Sequence, residues 1–275
     1  MYKLIACDVD GTLLDSSFTA KQIDKDAILK VQEKGIIFAL CSGRSYKSLK
    51  TIAKDLGVWE KGNHIVGFNG GIIYDMEKSR IVRQENLDKN AGVKTIEFFK
   101  QMPRNIEIVI YTDAEHVLYE RHAKYAPVYQ KTSECEWLDA EDILKATRNL
   151  NSIGKIIFLG ENRDLKLFEQ ELAGTLGEET CTIFTAEYML EVSPTSSTKG
   201  NGVKWLCQNY NIDISEVICI GDNYNDISMI KEAGLGVAVA NAVNAAKEAA
   251  DYITKNDCRN GAVAEVITKF VLSGP

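Results

Sequence analysis

The sequence lacks any apolar run of about 18 residues, the length that a membrane-crossing helix requires, so we expect none. It also lacks an excess of basic residues, since 32 Lys and Arg stand against 39 Asp and Glu, a net charge of −7. This balance argues against a surface for nucleic acid or for an anionic membrane. The first residues, MYKLIACD, turn acidic too early for a signal peptide, so we expect a cytoplasmic protein.

Paired cysteines are missing as well. The seven cysteines are an odd number, form no C-x-x-C pair and mostly lie inside apolar runs. The three histidines, at 64, 116 and 122, stand in no zinc-ligand spacing with them. We therefore expect small buried thiols in a reducing compartment, and neither disulfides nor a zinc site.

Two familiar nucleotide-binding loops are absent too. No G-x-x-x-x-G-K-[ST] precedes Lys199, and Gly234-Leu235-Gly236 lacks the rest of a G-x-G-x-x-G turn. The sequence also shows no internal repeat, no low-complexity stretch and nothing that resembles a dimerisation element. The missing loops argue against a P-loop nucleotide-binding protein and against a dinucleotide-binding protein. The oligomeric state stays open.

What the sequence does contain is a repeated alternation of short apolar runs with amphipathic helical segments. Six runs near the two ends of the chain predict buried strands: Lys3–Cys7, Ile36–Cys41, Ile65–Phe68, Val217–Ile220, Leu235–Ala240 and Tyr252–Thr254. Strands that alternate with helices in this way form a parallel sheet with right-handed crossovers. The fold class predicted is α/β, with a doubly wound, Rossmann-like parallel core.

The middle of the chain follows another pattern. Five runs predict further strands: Ile106–Thr112, His116–Glu120, Lys155–Leu159, Thr180–Ala186 and Met189–Val192. Helical segments are predicted near 93–101, 139–148 and 163–174. We predict that 1–83 and 190–275 form a core made by both ends of the chain and that 84–189 form an inserted second domain of the α+β type.

An acidic pair follows the first predicted strand, in the motif DVDGT at 8–12. Ligands bind beyond the carboxyl ends of parallel strands, so Asp8 and Asp10 would point at a site. One carboxylate could attack a substrate while the other handles protons, and Gly11 would permit a close backbone approach. Taken alone, the motif fits a solvated acidic loop equally well.

Three further motifs follow or adjoin predicted core elements. In CSGR, Ser42 and the backbone N–H groups around Gly43 suit a phosphate oxyanion, although a helix N-cap at Ser42 or Ser45 is the simpler alternative. In GDNYND at 221–226, two carboxylates four residues apart suit Mg²⁺, with helix capping as the alternative.

The third of these motifs is STKG, at the head of a predicted core helix, where Lys199 could neutralise a phosphoryl group. A surface lysine is the alternative at this position. Together the four motifs supply a nucleophile, a proton carrier, metal carboxylates, a phosphate-binding hydroxyl and a cation. That combination meets the needs of phosphoryl transfer, and four independent structural explanations are improbable together.

The four motifs, in this order, resemble those of the haloacid dehalogenase (HAD) superfamily, and within it the Cof-like phosphatases with a large (type C2) cap. The resemblance extends over the whole chain, including Asn69-Gly70-Gly71 after the third strand. It implies a Mg²⁺-dependent phosphatase in which Asp8 forms an aspartyl-phosphate and Asp10 acts as general acid and base. It also implies that Mg²⁺ is held by Asp8, the Asp10 carbonyl and Asp222, with Asp226 in support.

The resemblance further implies which residues contact the substrate. Ser42, Gly43 and Lys199 would grip the phosphoryl group, and weaker candidates for orienting Lys199 or touching substrate are Arg44, Asn69 and Asn225. The partner expected is a small phosphorylated metabolite, such as a sugar phosphate or a phosphorylated cofactor. In the cap, five aromatic and basic residues could reach it, although a solvated loop is the simpler interpretation: Tyr119, Arg121, His122, Lys124 and Tyr125.

Two other functions stay open at this point. A phosphomutase would use the same aspartyl-phosphate but pass the phosphoryl group to a second hydroxyl. A non-catalytic, metabolite-sensing protein could keep the same fold. The large cap argues against the first alternative, and the complete carboxylate set argues against the second.

Overall fold

The computed structural model describes residues 1–59, 62–102, 105–113, 115–120, 123–126, 130 and 134–273. By its internal contacts the chain divides into two compact units. The first comprises Met1–Gln84 with Thr198–Pro275, and the second comprises Glu85–Ser197. None of the helices within the described ranges is long and apolar enough to cross a membrane.

The elements of the described residues are numbered in chain order. The strands are β1 (Leu4–Asp8), β2 (Ile37–Cys41), β3 (His64–Gly67), β4 (Ile72–Asp75), β5 (Arg80–Gln84), β6 (Ile106–Tyr111), β7 (His116–Glu120), β8 (Glu136–Ala140), β9 (Lys155–Gly160), β10 (Thr180–Ala186), β11 (Met189–Pro194), β12 (Val217–Gly221), β13 (Leu235–Ala238) and β14 (Tyr252–Ile253). The helices are α1 (Gln22–Glu33), α2 (Tyr46–Asp55), α3 (Lys89–Gln101), α4 (Ile143–Arg148), α5 (Asn162–Leu172), α6 (Lys199–Tyr210), α7 (Ile227–Glu232), α8 (Asn244–Ala249) and α9 (Ala262–Ile267).

The first unit holds an eight-stranded sheet in the order β14-β13-β12-β1-β2-β3-β4-β5. The strands from β14 to β3 run parallel, whereas β4 and β5 add an antiparallel edge. Every residue of β1, β3 and β12 is buried. Such complete burial means that both faces of the sheet are covered, as a parallel sheet with helical crossovers requires. The predicted α/β fold with a parallel core is confirmed.

Packing on one face of this sheet fixes the position of α6. Leu4 and Ala6 of β1 belong to the same apolar cluster as Val203 and Leu206 of α6. Because the helix is held along its length by this cluster, its first residue, Lys199, stays at the carboxyl end of β1, where it contacts Asp8.

The second unit is built on a six-stranded sheet in the order β10-β11-β9-β6-β7-β8. All neighbours are antiparallel except β7 and β8. A single apolar cluster joins the sheet to its helices, through residues such as Ile96 of α3, Ile143 of α4 and Phe168 of α5. This mixture of an antiparallel sheet and packed helices is an α+β arrangement.

All the strands predicted from apolar runs are found within two residues of their predicted ends. The helix predicted near 139–148 is wrong at its start, because residues 136–140 form β8 and the helix begins at Ile143. The Asp142 carboxylate caps it by accepting the N–H groups of Leu144 and Lys145. β8 is held by pairing with β7, as where Trp137 lies opposite Val117, and such long-range pairing leaves little trace in the local sequence.

The second unit also ends later than the predicted boundary at 189/190. β11 pairs with β9 and β10 of the six-stranded sheet, so the unit continues to Ser197. Of the residues suggested to reach a substrate, Arg121 and His122 lie outside the described residues.

Asp24 links two helices of the first unit from a buried position. It lies in α1, and its Oδ1 accepts the N–H of Ala264 in α9 at 2.7 Å. Its Oδ2 is buried and has no hydrogen-bond partner among the described residues. Burial raises the pKa of Asp24 from 3.8 to about 6. The folded state therefore holds this proton more tightly than the unfolded chain, and ionisation of Asp24 opposes folding.

The wild type should lose stability as pH rises from about 4 to about 6, and we predict that Asp24→Asn does not. The asparagine oxygen can still accept the Ala264 N–H, but it carries no charge. Urea titrations should show the wild-type free energy of unfolding falling relative to the variant across this window, by up to about 3 kcal/mol. Asp26→Asn, at an exposed position of α1, is the control. Parallel pH profiles for the wild type and Asp24→Asn would contradict the prediction.

Candidate active site

β1 ends at the centre of the sheet in the carboxylate of Asp8, which is 5% exposed. Its Oδ1 accepts a hydrogen bond from Lys199 Nζ at 2.5 Å, and its Oδ2 is buried without a hydrogen-bond partner among the described residues. Burial, followed by the nearby carboxylate of Asp226, raises the pKa of Asp8, and Lys199 opposes that rise. A buried carboxylate oxygen without a donor is costly unless a cation or a ligand meets it.

Lys199 supplies the positive charge that two carboxylates share at this end of the sheet. It is fully buried at the start of α6, and its Nζ donates to Asp226 Oδ1 at 2.5 Å as well as to Asp8. Thr198 caps the helix by accepting the N–H of Asn201. Burial by itself would lower the pKa of Lys199, but the two carboxylates outweigh burial and raise it. The lysine therefore stays charged and joins two strand ends.

The loop after β12 supplies two carboxylates with different partners. Asp226 Oδ2 accepts hydrogen bonds from the backbone N–H groups of Asp222 and Asn223, both at 2.9 Å. The Asp226 side chain therefore stabilises the conformation of the loop to which it belongs. Asp222 Oδ1 accepts the hydroxyl of Thr12 at 2.8 Å. Burial, and then the charge of Asp226, raises the pKa of Asp222. The structure therefore ties this loop to the DVDGT motif at 8–12.

These carboxylates form a candidate metal site. Asp8, Asp222 and Asp226 each place one ligand atom within 4.8 Å of the others. Among the described residues, these three carboxylates lie around the ammonium of Lys199, which leaves an excess of negative charge in a largely buried place. A donor set of oxygen atoms alone suits a hard divalent cation such as Mg²⁺. Together with the unpartnered Asp8 Oδ2, the site fits the ion that the family resemblance implies.

Glycine is required where the chain passes this cluster. Gly11 has φ +89°, and a Cβ there would lie 2.6 Å from Asp222 Oδ2. Its carbonyl oxygen accepts the side-chain amide of Asn241 at 2.7 Å. A side chain at position 11 would thus strain the backbone and displace a carboxylate.

Asp10 lies apart from the carboxylate cluster. Both of its oxygens accept hydrogen bonds from Arg44, from Nε at 2.7 Å and from Nη2 at 2.6 Å. Its side chain is 40% exposed, whereas Asp8 is buried. Two carboxylates separated by one residue therefore occupy different surroundings, one beside a buried lysine and one beside an arginine near the surface.

The other predicted residues lie after β2, β3 and β12. Ser42 is buried, and its carbonyl oxygen accepts the N–H of Asn69 at 3.0 Å. Asn69 Oδ1 accepts the side-chain amide of Asn225 at 2.9 Å, and a Cβ on Gly43 would lie 3.3 Å from the Asn69 amide. The structure thus places Ser42, Gly43, Asn69 and Asn225 in one connected group.

Two residues of the site received no role from the sequence. Thr12 orients Asp222, and its place inside DVDGT was the signal that could have drawn attention to it. Asn241 holds Gly11 from the segment that follows β13, which lies outside the four motifs. In the second unit, Tyr119 lies against Trp137 with ring centroids 5.5 Å apart. The backbone N–H groups of Lys124 and Tyr125 bind the Glu107 carboxylate.

The chain is similar to known proteins over nearly its whole length. The family model for haloacid dehalogenase-like hydrolases matches residues 5–267. YxeH of Bacillus subtilis is 30% identical over 99% of this chain and 100% of its own length. The 5-amino-6-(5-phospho-D-ribitylamino)uracil phosphatase YwtE of the same organism is 28% identical over 94% of this chain and 95% of its own. A haloacid dehalogenase-like hydrolase structure from Bacteroides thetaiotaomicron has a TM-score of 0.87 and 30% identity, covering 98% of this chain and 99% of that one.

We predict that Lys199→Met lowers the free energy of unfolding by about 3 kcal/mol or more in EDTA, because two buried carboxylates lose their cation. Urea titrations at neutral pH would measure the loss. Lys204→Met is the matched control on the same helix, since its partner Glu232 is partly exposed and such pairs contribute at most about 1 kcal/mol. Equal, small losses in the two variants would show that Lys199 does not hold the site together.

Proposed function

The chain belongs to the haloacid dehalogenase-like hydrolases, and we propose that it is a Mg²⁺-dependent phosphatase that forms an aspartyl-phosphate on Asp8. The family resemblance found in the sequence motifs is confirmed, and relatives of this chain are phosphatases by name. The observation that carries the proposal is the position of Asp8. It is a buried carboxylate at the end of the central strand, with one oxygen on Lys199 and one without a partner.

Such a carboxylate is suited to attack phosphorus. An Asp8 oxygen would form the bond to phosphorus while the bond to the substrate oxygen breaks, and Asp10 would give its proton to that departing oxygen. In the second half, Asp10 would take a proton from water as the water oxygen attacks phosphorus and Asp8 leaves. Lys199, already fixed by Asp8 and Asp226, would balance charge on the phosphoryl oxygens.

We further propose which atoms hold the metal. Asp8, Asp222 and the backbone carbonyl of Asp10 would bind Mg²⁺, and Asp226 would support the site either directly or through water. Both Asp226 oxygens already accept hydrogen bonds, from Lys199 and from backbone N–H groups, which favours the supporting role. A bound Mg²⁺ would reduce the repulsion between the Asp8 carboxylate and the phosphate.

The remaining residues would hold the substrate. The Ser42 hydroxyl and the backbone N–H groups around Gly43 would bind phosphoryl oxygens, and the Asn69–Asn225 pair would border this place. We propose a small phosphorylated metabolite as substrate, with the second unit serving as the cap that selects it. The name of YwtE, which gives a phosphorylated ribitylamino compound as its substrate, supports this class.

We predict that Asp8→Asn abolishes phosphate release, by at least about 10³-fold, while the fold stays intact, because the change removes the nucleophile's charge and little else. Phosphate release from 4-nitrophenyl phosphate and circular dichroism would test the two parts. Asp55→Asn, an exposed carboxylate paired with Lys25, should behave as wild type. Substantial activity in Asp8→Asn would disprove the proposed nucleophile.

We predict that EDTA silences phosphate release and that Mg²⁺ restores it. Asp222→Asn should raise the Mg²⁺ concentration for half-maximal activity about tenfold or more, because one anionic ligand becomes neutral. It should also reduce the rise in melting temperature that Mg²⁺ produces, a readout that does not depend on turnover. Asp213→Asn, whose carboxylate caps a surface turn, is the control. Unchanged Mg²⁺ curves for Asp222→Asn would place the metal elsewhere.

A further inference from the structure

Asp10 is held by Arg44 in a fork. The Nε and Nη2 atoms of Arg44 donate to the two Asp10 oxygens at 2.7 and 2.6 Å. A two-pronged contact fixes the plane of a carboxylate as well as its place, which a single hydrogen bond cannot do. Both side chains are partly exposed, at 23% and 40%, so solvent screens the attraction between their charges. The fork still fixes the orientation of the Asp10 carboxylate.

Arg44 is itself held at three points. Its backbone N–H donates to Ser42 Oγ at 3.2 Å, and its carbonyl oxygen accepts the N–H of Phe68 at 3.0 Å. Its guanidinium lies over the ring of Phe18, 5.3 Å from the centroid. The arginine thus connects the chain segments that follow β1, β2 and β3.

Phe18 has a backbone conformation that bulky residues rarely adopt. Its φ is +57°, which is unusual for a bulky residue, and its side chain is 62% exposed. The loop is fixed by Asp15, whose carbonyl accepts the Phe18 N–H and whose carboxylate pairs with Lys21 at 2.7 Å. An aromatic ring kept in a costly conformation against an arginine indicates a functional constraint.

From these contacts we infer that Arg44 is the positioning residue for Asp10, and that Phe18 keeps Arg44 in place. Two guanidinium nitrogens donate to Asp10, so we take Arg44 to act through that carboxylate rather than as a phosphate ligand. This inference rests on the proposed function, in which Asp10 transfers a proton to the departing oxygen while the phosphorus–oxygen bond breaks. It goes further by naming the residues that orient the carboxyl group of Asp10.

The inference requires that the fall in kcat/KM on replacing Arg44 depends on the leaving group. An alkoxide needs the proton as it leaves, whereas 4-nitrophenolate is a stable anion and needs it much less. The ratio kcat/KM reports only the steps up to formation of the aspartyl-phosphate, so the later hydrolysis does not mask the difference.

We expect Arg44→Met to lower kcat/KM for an alkyl phosphate about 100-fold, and for 4-nitrophenyl phosphate about tenfold or less. Arg44→Lys should give an intermediate loss with the same selectivity, because an ammonium cannot form the fork. Phe18→Leu should show a smaller loss of the same kind. In Asp10→Asn, adding Arg44→Met should cost nothing further, since Arg44 acts through Asp10.

Arg148→Lys is a matched control, because it alters a guanidinium pair with Glu97 that joins two helices of the second unit. It should leave the two kcat/KM values unchanged. If Arg44→Met lowers both substrates equally, or adds its loss to that of Asp10→Asn, Arg44 binds phosphate or shapes the fold and the inference is overturned. A wild type that releases no phosphate, or an active Asp8→Asn, would instead overturn the proposed function and this inference with it.

Discussion

The buried contact of Lys199 with Asp8 and Asp226 is the constraint on which the rest of the site depends. It joins the end of β1, the start of α6 and the loop after β12, segments that are about 200 residues apart at their extremes. Charges buried in this way are costly unless each meets a partner. The fold meets the requirement by bringing parallel strand ends together, and the remaining excess of negative charge makes the same place suitable for a divalent cation.

The surroundings of Asp8 and Asp10 explain how two neighbouring carboxylates can perform different tasks. Asp8 is the last residue of a fully buried strand and faces a lysine inside the protein. Asp10 has left the strand and meets Arg44 near the surface. We assign attack on phosphorus to the first and proton transfer to the second, because a nucleophile needs a fixed, dry position and a proton carrier needs to reach the departing group and water.

Much of the fold was predictable from apolar runs. The core strands were found within two residues because most of them are short, largely buried runs bounded by glycine or polar residues. The strands β4, β5 and β8 were not predicted: β5 and β8 are mostly half-buried or exposed and so lack a wholly buried apolar run, and β4 is only four residues long. The second unit ends later than predicted because β11 pairs with β9 as well as with its neighbour β10, and so belongs to the six-stranded sheet.

The sequence by itself determined the parallel core and the residue types of the site, because strand periodicity and motif chemistry are local properties. Asp8 could be singled out in this way, together with Lys199 and Asp222. Only the tertiary structure decided which partners those side chains meet, such as Thr12 on Asp222 and Arg44 on Asp10. Those contacts join residues from different strand ends, and their geometry exists only after the sheet has brought the ends together.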